Sequence, residues 1–144
     1  MIGFFEHQYL TYKKNHIRNL LALANADGHM HEKEVALLYK IANRYGLKDW
    51  QVAKLINSSE AYELNIPDNH NDKMNVLYDL ILMVYADEVV EDREIKFCED
   101  VARRFGLRKE IVGWLLEVFT MGTPPPQEEW IEIKEIAKKE YQAS

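Results

Sequence analysis

The sequence predicts an all-α fold, a compact helical domain of two pseudo-symmetric three-helix units followed by a C-terminal helix. Three observations predict it. Apolar residues recur at helical spacing through most of the chain, and strand-like alternation is essentially absent. The chain also matches itself when slid by 60 positions: over 13–56 against 73–116, twelve of 44 positions are identical without a gap. Composition alone would give about three. The matches include helix ends (Ala26/Ala86, Gly46/Gly106, Leu47/Leu107) as well as apolar positions (Leu20/Leu80, Val52/Val112, Leu55/Leu115). At 144 residues, one domain spanning 1–144 is long enough to bury a substantial core without covalent staples.

Each element has its own justification. Phe4, Phe5 and Tyr9 begin or precede the first helix and are expected to pack onto the body. Ile17, Leu20, Leu21 and Ala24 follow i, i+3, i+4, i+7 spacing, one apolar stripe of a helix. A short acidic elbow interrupts the pattern in LANADGHMHEKEVALL, residues 23–38, after which Val35, Leu38, Tyr39 and Ala42 resume it. Gly46 supplies a residue able to take the left-handed conformation that ends a helix, and Leu47 packs back over that turn. A third helix is expected from Asp49, as N-cap, through Ile56.

The connector NSSEAYELNIPDNHND is rich in turn formers, with Pro67 barred from a helix interior and Asp68, Asn69, Asn71 or Asp72 available as a cap. The second unit then runs through Met74–Ala86, Asp92–Phe105 and Lys109–Met121, with its own elbow in MVYADEVVEDREIKFC. Gly122-Thr123-Pro124-Pro125-Pro126 is a stiff break. Trp130, Ile133, Ile136, Ala137 and Tyr141 mark a last amphipathic helix over about 127–142. Trp50, Trp114 and Trp130 are expected to fill helix interfaces, and Asp79 to lie with Asp72 and Asn75 on an exposed stripe.

The balance of charge narrows the function classes. A formal charge of −6 argues against nucleic-acid binding, which leaves basic footprints, and the small cluster Arg103, Arg104, Arg108 and Lys109 reads as a solvated helix end. The single cysteine, Cys98, sits at an apolar helical position, reads as a buried small hydrophobe and suits a reducing cytoplasm. The start MIGFFEHQYL has neither a basic segment nor a sustained apolar one, and the run at 81–86 is too short for a bilayer. A cytoplasmic protein without membrane insertion is expected.

The Ala26-Asp27-Gly28 elbow, Glu34 seven residues after the Asp, and Gly46-Leu47 at the next helix end resemble the TerB-like family, helical domains associated with bacterial tellurite resistance. The echo in Ala86-Asp87, Glu94 and Gly106-Leu107, with the Ile66-Pro67 lead-in, strengthens the resemblance, which covers roughly 10–121. It implies an all-helical fold with pseudo-symmetric halves and acidic residues as candidate metal ligands, and no established catalytic reaction. Glu88 departs from the family pattern, which shows Gly there, so the two elbows are expected to differ in backbone path.

Two readings of the elbows stand side by side. In one, carboxylates of Asp27, Glu34, Asp87 and Glu94 converge on a divalent cation, calcium or magnesium being suited to oxygen ligands. An ordinary EF-hand is excluded, because its register would place Leu23 and Met83 at the first ligand position. In the other, His31 and Glu91 are N-caps, Glu34 and Glu94 fall at N3, and all four carboxylates serve helix ends, each cap contributing about 1 kcal/mol. His29 and His31 lack a fixed third ligand and read as exposed loop residues, while His7, His16 and His70 have no telling partner. No nucleophile–base pair is visible for a metal-assisted hydrolase. The expectation is a non-enzymatic binding or scaffold module with a protein partner and a divalent cation at the elbows, or a purely structural or protein-interaction domain whose elbows are caps.

Overall fold

The computed structural model describes residues 4–25, 30–58, 64–86, 90–119 and 122–143, with side chains described from residue 10 onward. Among these residues there are seven helices and no strand beyond one isolated bridge. The all-α expectation holds. By internal contacts the chain divides into two compact units, residues 1–65 and 66–144. The expected packing of Phe4, Phe5 and Tyr9 lies outside what is described, and the third helix of the second unit stops at Val118, with Phe119 as its C-cap, short of the expected Met121.

The first unit consists of α1 (Phe4–Ala24), α2 (Glu32–Arg44) and α3 (Asp49–Ile56), each packed against the other two. The second repeats that order with α4 (His70–Val84), α5 (Asp92–Arg104) and α6 (Ile111–Val118), again in mutual contact, and adds α7 (Gln127–Glu140) against α4. Helix α1 ends at Ala24 and α4 at Val84, while α2 and α5 begin and end 60 positions apart. Ile17, Leu20, Leu21 and Leu23 are buried in one unit, and Leu77, Leu80, Ile81 and Met83 are buried at the same places in the other. Burying each such side chain stabilises the fold by roughly 1.5–3 kcal/mol, which is why the apolar stripe decides the helix faces.

The helix ends follow from local chemistry. Gly46 and Gly106 have φ of +89° and +78°, the left-handed region expected of them. At each, the Gly N–H donates to Asn43 or Arg103 and the following Leu N–H donates to the carbonyl of Ala42 or Ala102, at 2.9–3.0 Å. Those are the two bonds of a Schellman closure, and Leu47 and Leu107 bury themselves over it. Asn69 caps α4, its side chain accepting from the Asp72 N–H at 2.8 Å. The expected cap at Asp49 is displaced by one residue: Lys48 is the N-cap, and its backbone N–H donates to Gln51 Oε1 at 2.9 Å. Gln51 at N3 performs the reach-back, leaving Asp49 as a first-turn acid that favours the helix dipole.

Helix α7 is held at both ends. Trp130 is buried, donates its indole N–H to Asn75 Oδ1 at 3.2 Å, and meets Tyr78 and Phe119 edge-on. Beyond the helix, Arg108 N–H donates to the Tyr141 carbonyl at 2.7 Å and Ala143 N–H to the Gly106 carbonyl at 3.0 Å. Trp114 stacks on Tyr141 with ring centroids 5.0 Å apart.

Candidate functional site

The helices that follow the two elbows bury the same four positions. In α2 these are Glu34, Leu38, Ile41 and Ala42; in α5 they are Glu94, Cys98, Val101 and Ala102. Of the expected stripe of α2, Leu38 and Ala42 are buried, while Val35 and Tyr39 are only half-buried; the helix is turned so that a glutamate heads the core-facing row. Glu34 is 2 % exposed and Glu94 3 %. Both are third residues of their helices, behind N-caps His31 and Glu91 whose extended backbones turn the chain out of the elbow. His31 Nε2 stands 3.8 Å from Glu34 Oε1.

Burial at this place has an energetic meaning. A carboxylate removed from water is costly unless charge or hydrogen bonds compensate, whereas capping alone needs no burial. Gln51 shows as much, performing its N3 bond at an accessible helix entrance with a neutral side chain. The field of Glu94 reaches the next residue down the stripe: the Cys98 thiol is pushed well up from its ordinary range, chiefly by burial, then by the charges of Glu94 and Glu99. Cys98 is a fully buried free thiol that stays protonated, as its apolar setting predicted.

Of the four carboxylates expected at the site, Glu34 and Glu94 occupy matching buried positions in their own units, and Asp27 and Asp87 lie outside the described residues, as does His29. Among the described residues, no three His, Cys, Asp or Glu side chains gather as a ligand set. Two expectations are corrected. Asp79 is 1 % exposed, because α5, α6 and α7 cover α4 and leave its supposed outer stripe little solvent. Its counterpart in the repeat, Asn19, is likewise buried, and clamps the chain after α3 by accepting from the Asn65 N–H at 2.6 Å and donating to the Asn65 carbonyl at 2.8 Å. A polar residue embedded in an apolar run was the available signal at both. Trp50 fills no interface: it is 64 % exposed, since the inward face of α3 is taken by Val52 and Leu55.

The family model described as tellurite resistance protein TerB matches residues 20–113, nearly two thirds of the chain. That range holds both elbows, both buried glutamates and both Schellman glycines, and leaves α7 outside. No curated protein and no solved structure gives a significant match.

Proposed function

The chain belongs to the TerB family, and from that premise we propose that it is a non-enzymatic binding or scaffold module that holds a divalent cation at its acidic elbows and serves a bacterial stress response such as tellurite resistance. Asp27, Glu34, Asp87 and Glu94 are the ligands of this reading, and their all-oxygen chemistry suits calcium or magnesium over softer metals. The module works in the cytoplasm on a protein partner. In keeping with this, no helix among the described residues is long and apolar enough to cross a membrane.

The observation that carries the reading is the burial of Glu34 and Glu94 on the core-facing row, at the same place in two units, directly after an Asp-bearing elbow. A cation held by these carboxylates would lie away from bulk water, where their mutual attraction is strongest. One observation favours the second reading, in which the elbows are structural caps: both glutamates do stand at N3 behind extended N-caps, where a negative charge favours the helix dipole.

Calorimetric titration of metal-stripped protein with calcium, magnesium, manganese and zinc separates the two. Cation binding gives a saturable heat and a dose-dependent rise in Tm, the stability gained being about 2.7 kcal/mol at a hundredfold excess over Kd. The double changes Asp27→Asn with Glu34→Gln, and Asp87→Asn with Glu94→Gln, should weaken it. Binding that survives both pairs intact removes these residues from the site. No binding of any tested cation leaves the elbows as caps, and then the same amides lower stability whether or not metal is added.

A further inference from the structure

Unit 1 carries a second feature, on the face formed by α1 and α3. A cavity of about 280 Å³ opens there, with Lys14 and Arg18 from α1 and Trp50, Gln51 and Lys54 from α3 around it and Leu55 in its wall. Lys14 and Arg18 are four residues apart, as are Trp50 and Lys54, so each helix presents one turn to the cavity. Arg18 is half-buried and its guanidinium donates to Asn15 Oδ1 at 2.7 Å, which fixes its direction. Among the described residues, Trp50 is the most exposed of the large hydrophobic side chains.

Three cations around one concavity are notable in a chain of net charge −6. Lysine stems lying over an exposed indole would by themselves be an ordinary surface. Here the cations come from two different helices and converge on a hollow with an apolar wall, the arrangement by which a site reads a ring and a negative charge together. Lys54 accompanies Trp50 on its own helix, and the packing of α1 against α3 adds Lys14 and Arg18.

We propose that this cavity binds a small anion bearing a flat aromatic ring, of the size and chemistry of a nucleoside monophosphate. The base stacks on Trp50, and the phosphate lies among Lys14, Arg18 and Lys54, with the fixed Arg18 fork as its directional partner. The volume is at the small end for ligand sites, which suits one ring system and one acidic group and excludes a nucleic-acid strand or a folded partner.

The test uses metal-stripped full-length protein in chelator, so that its outcome is independent of the elbows. Adenosine monophosphate, adenosine and inorganic phosphate are titrated separately by calorimetry and by tryptophan fluorescence. The expected result is saturable binding of the monophosphate, at least about tenfold tighter than either fragment, weakened by added salt and accompanied by a fluorescence change that Trp50→Phe abolishes. Lys14→Gln combined with Lys54→Gln should weaken it at least about tenfold at unchanged Tm, since both side chains reach solvent. Absence of saturable binding overturns the proposal, as does phosphate alone binding as tightly as the nucleotide. So do an unchanged affinity in the double variant and displacement of the nucleotide by an acidic peptide of higher affinity.

Discussion

Gly106 offers a perturbation whose magnitude can be worked from the structure. Its φ of +78° lies in the left-handed region, yet a Cβ built on it meets nothing within 4 Å. Replacement by Ala therefore introduces backbone strain and no clash. An L-residue in that conformation costs about 1–2 kcal/mol, and restricting the unfolded chain returns about 0.4–1 kcal/mol. The net loss is about 1 kcal/mol. Val adds β-branching and should cost more than about 1 kcal/mol, while Asn, which tolerates the left-handed region, should cost less than Ala. If the backbone escapes the strain, it forfeits the Leu107 bond to Ala102 and the Gly106 bond to Arg103, each contributing about 0.5–1.5 kcal/mol. The assay is urea unfolding followed by tryptophan fluorescence in a Trp50→Phe background, where Trp114 and Trp130 report on the second unit. Gly46→Ala, read with Trp50 retained as the reporter of the first unit, should behave alike, because its added Cβ would meet only the Lys13 Nζ, at 3.4 Å. Unchanged midpoints for Gly106→Val and Gly46→Val would refute the reasoning and give both glycines another purpose.

Other outcomes are expected. Asn19→Ala should destabilise the first unit by about 2–3 kcal/mol in denaturant, because both Asn65 backbone groups lose their partner; Asn19→Asp keeps the acceptor but sets a buried carboxylate against the Asn65 carbonyl, and should cost at least as much. Trp130→Ala should cost about 3–5 kcal/mol by removing a buried ring and its bond to Asn75, measured by the unfolding midpoint of the second unit. Cys98 should resist alkylation in the native protein and react only on unfolding. Because its folded pKa is raised, its stabilising contribution is complete below the ordinary thiol value near about 8.5 and falls by about 1.4 kcal/mol per pH unit above it. Wild type and Cys98→Ala should therefore converge in stability as pH rises from 8.5 to 10, and parallel curves would contradict the buried-thiol account.

Where the chain's physics is local, reading it was straightforward. The Schellman glycines were legible because only glycine takes that turn cheaply and a leucine follows each one. The burial of Cys98 and the cap at Asn69, one of four residues put forward, followed from spacing and turn chemistry. Faces set by three-body packing were less accessible. The expected stripe of Val35, Leu38, Tyr39 and Ala42 shares Leu38 and Ala42 with the observed row of Glu34, Leu38, Ile41 and Ala42, and hydrophobicity favours Val35 over Glu34 as its head. Only the docking of α2 against α1 and α3 turns the glutamate inward. Asp79 was misplaced for the same reason, since a helix covered by three others has no polar face to spare. Trp50 was misplaced because α3 is two turns long and Val52 with Leu55 already satisfies its inward side. At the site itself, the glutamates' position at N3 was legible and their burial was not.

The short pairing between residues 106–108 and 141–143 has a dynamic consequence. It ties the end of α7 to the turn joining α5 to α6, so the last helix cannot peel from α4 beyond that point without freeing the Gly106 carbonyl and the Arg108 amide. The end of α7 and the α5–α6 turn therefore open as a single cooperative event. The amides of Arg108 and Ala143, though separated widely along the chain, should exchange their protons with solvent at a common rate and respond together to a change at Tyr141. A segment outside the family's matched range thus sets how often a turn inside it is exposed.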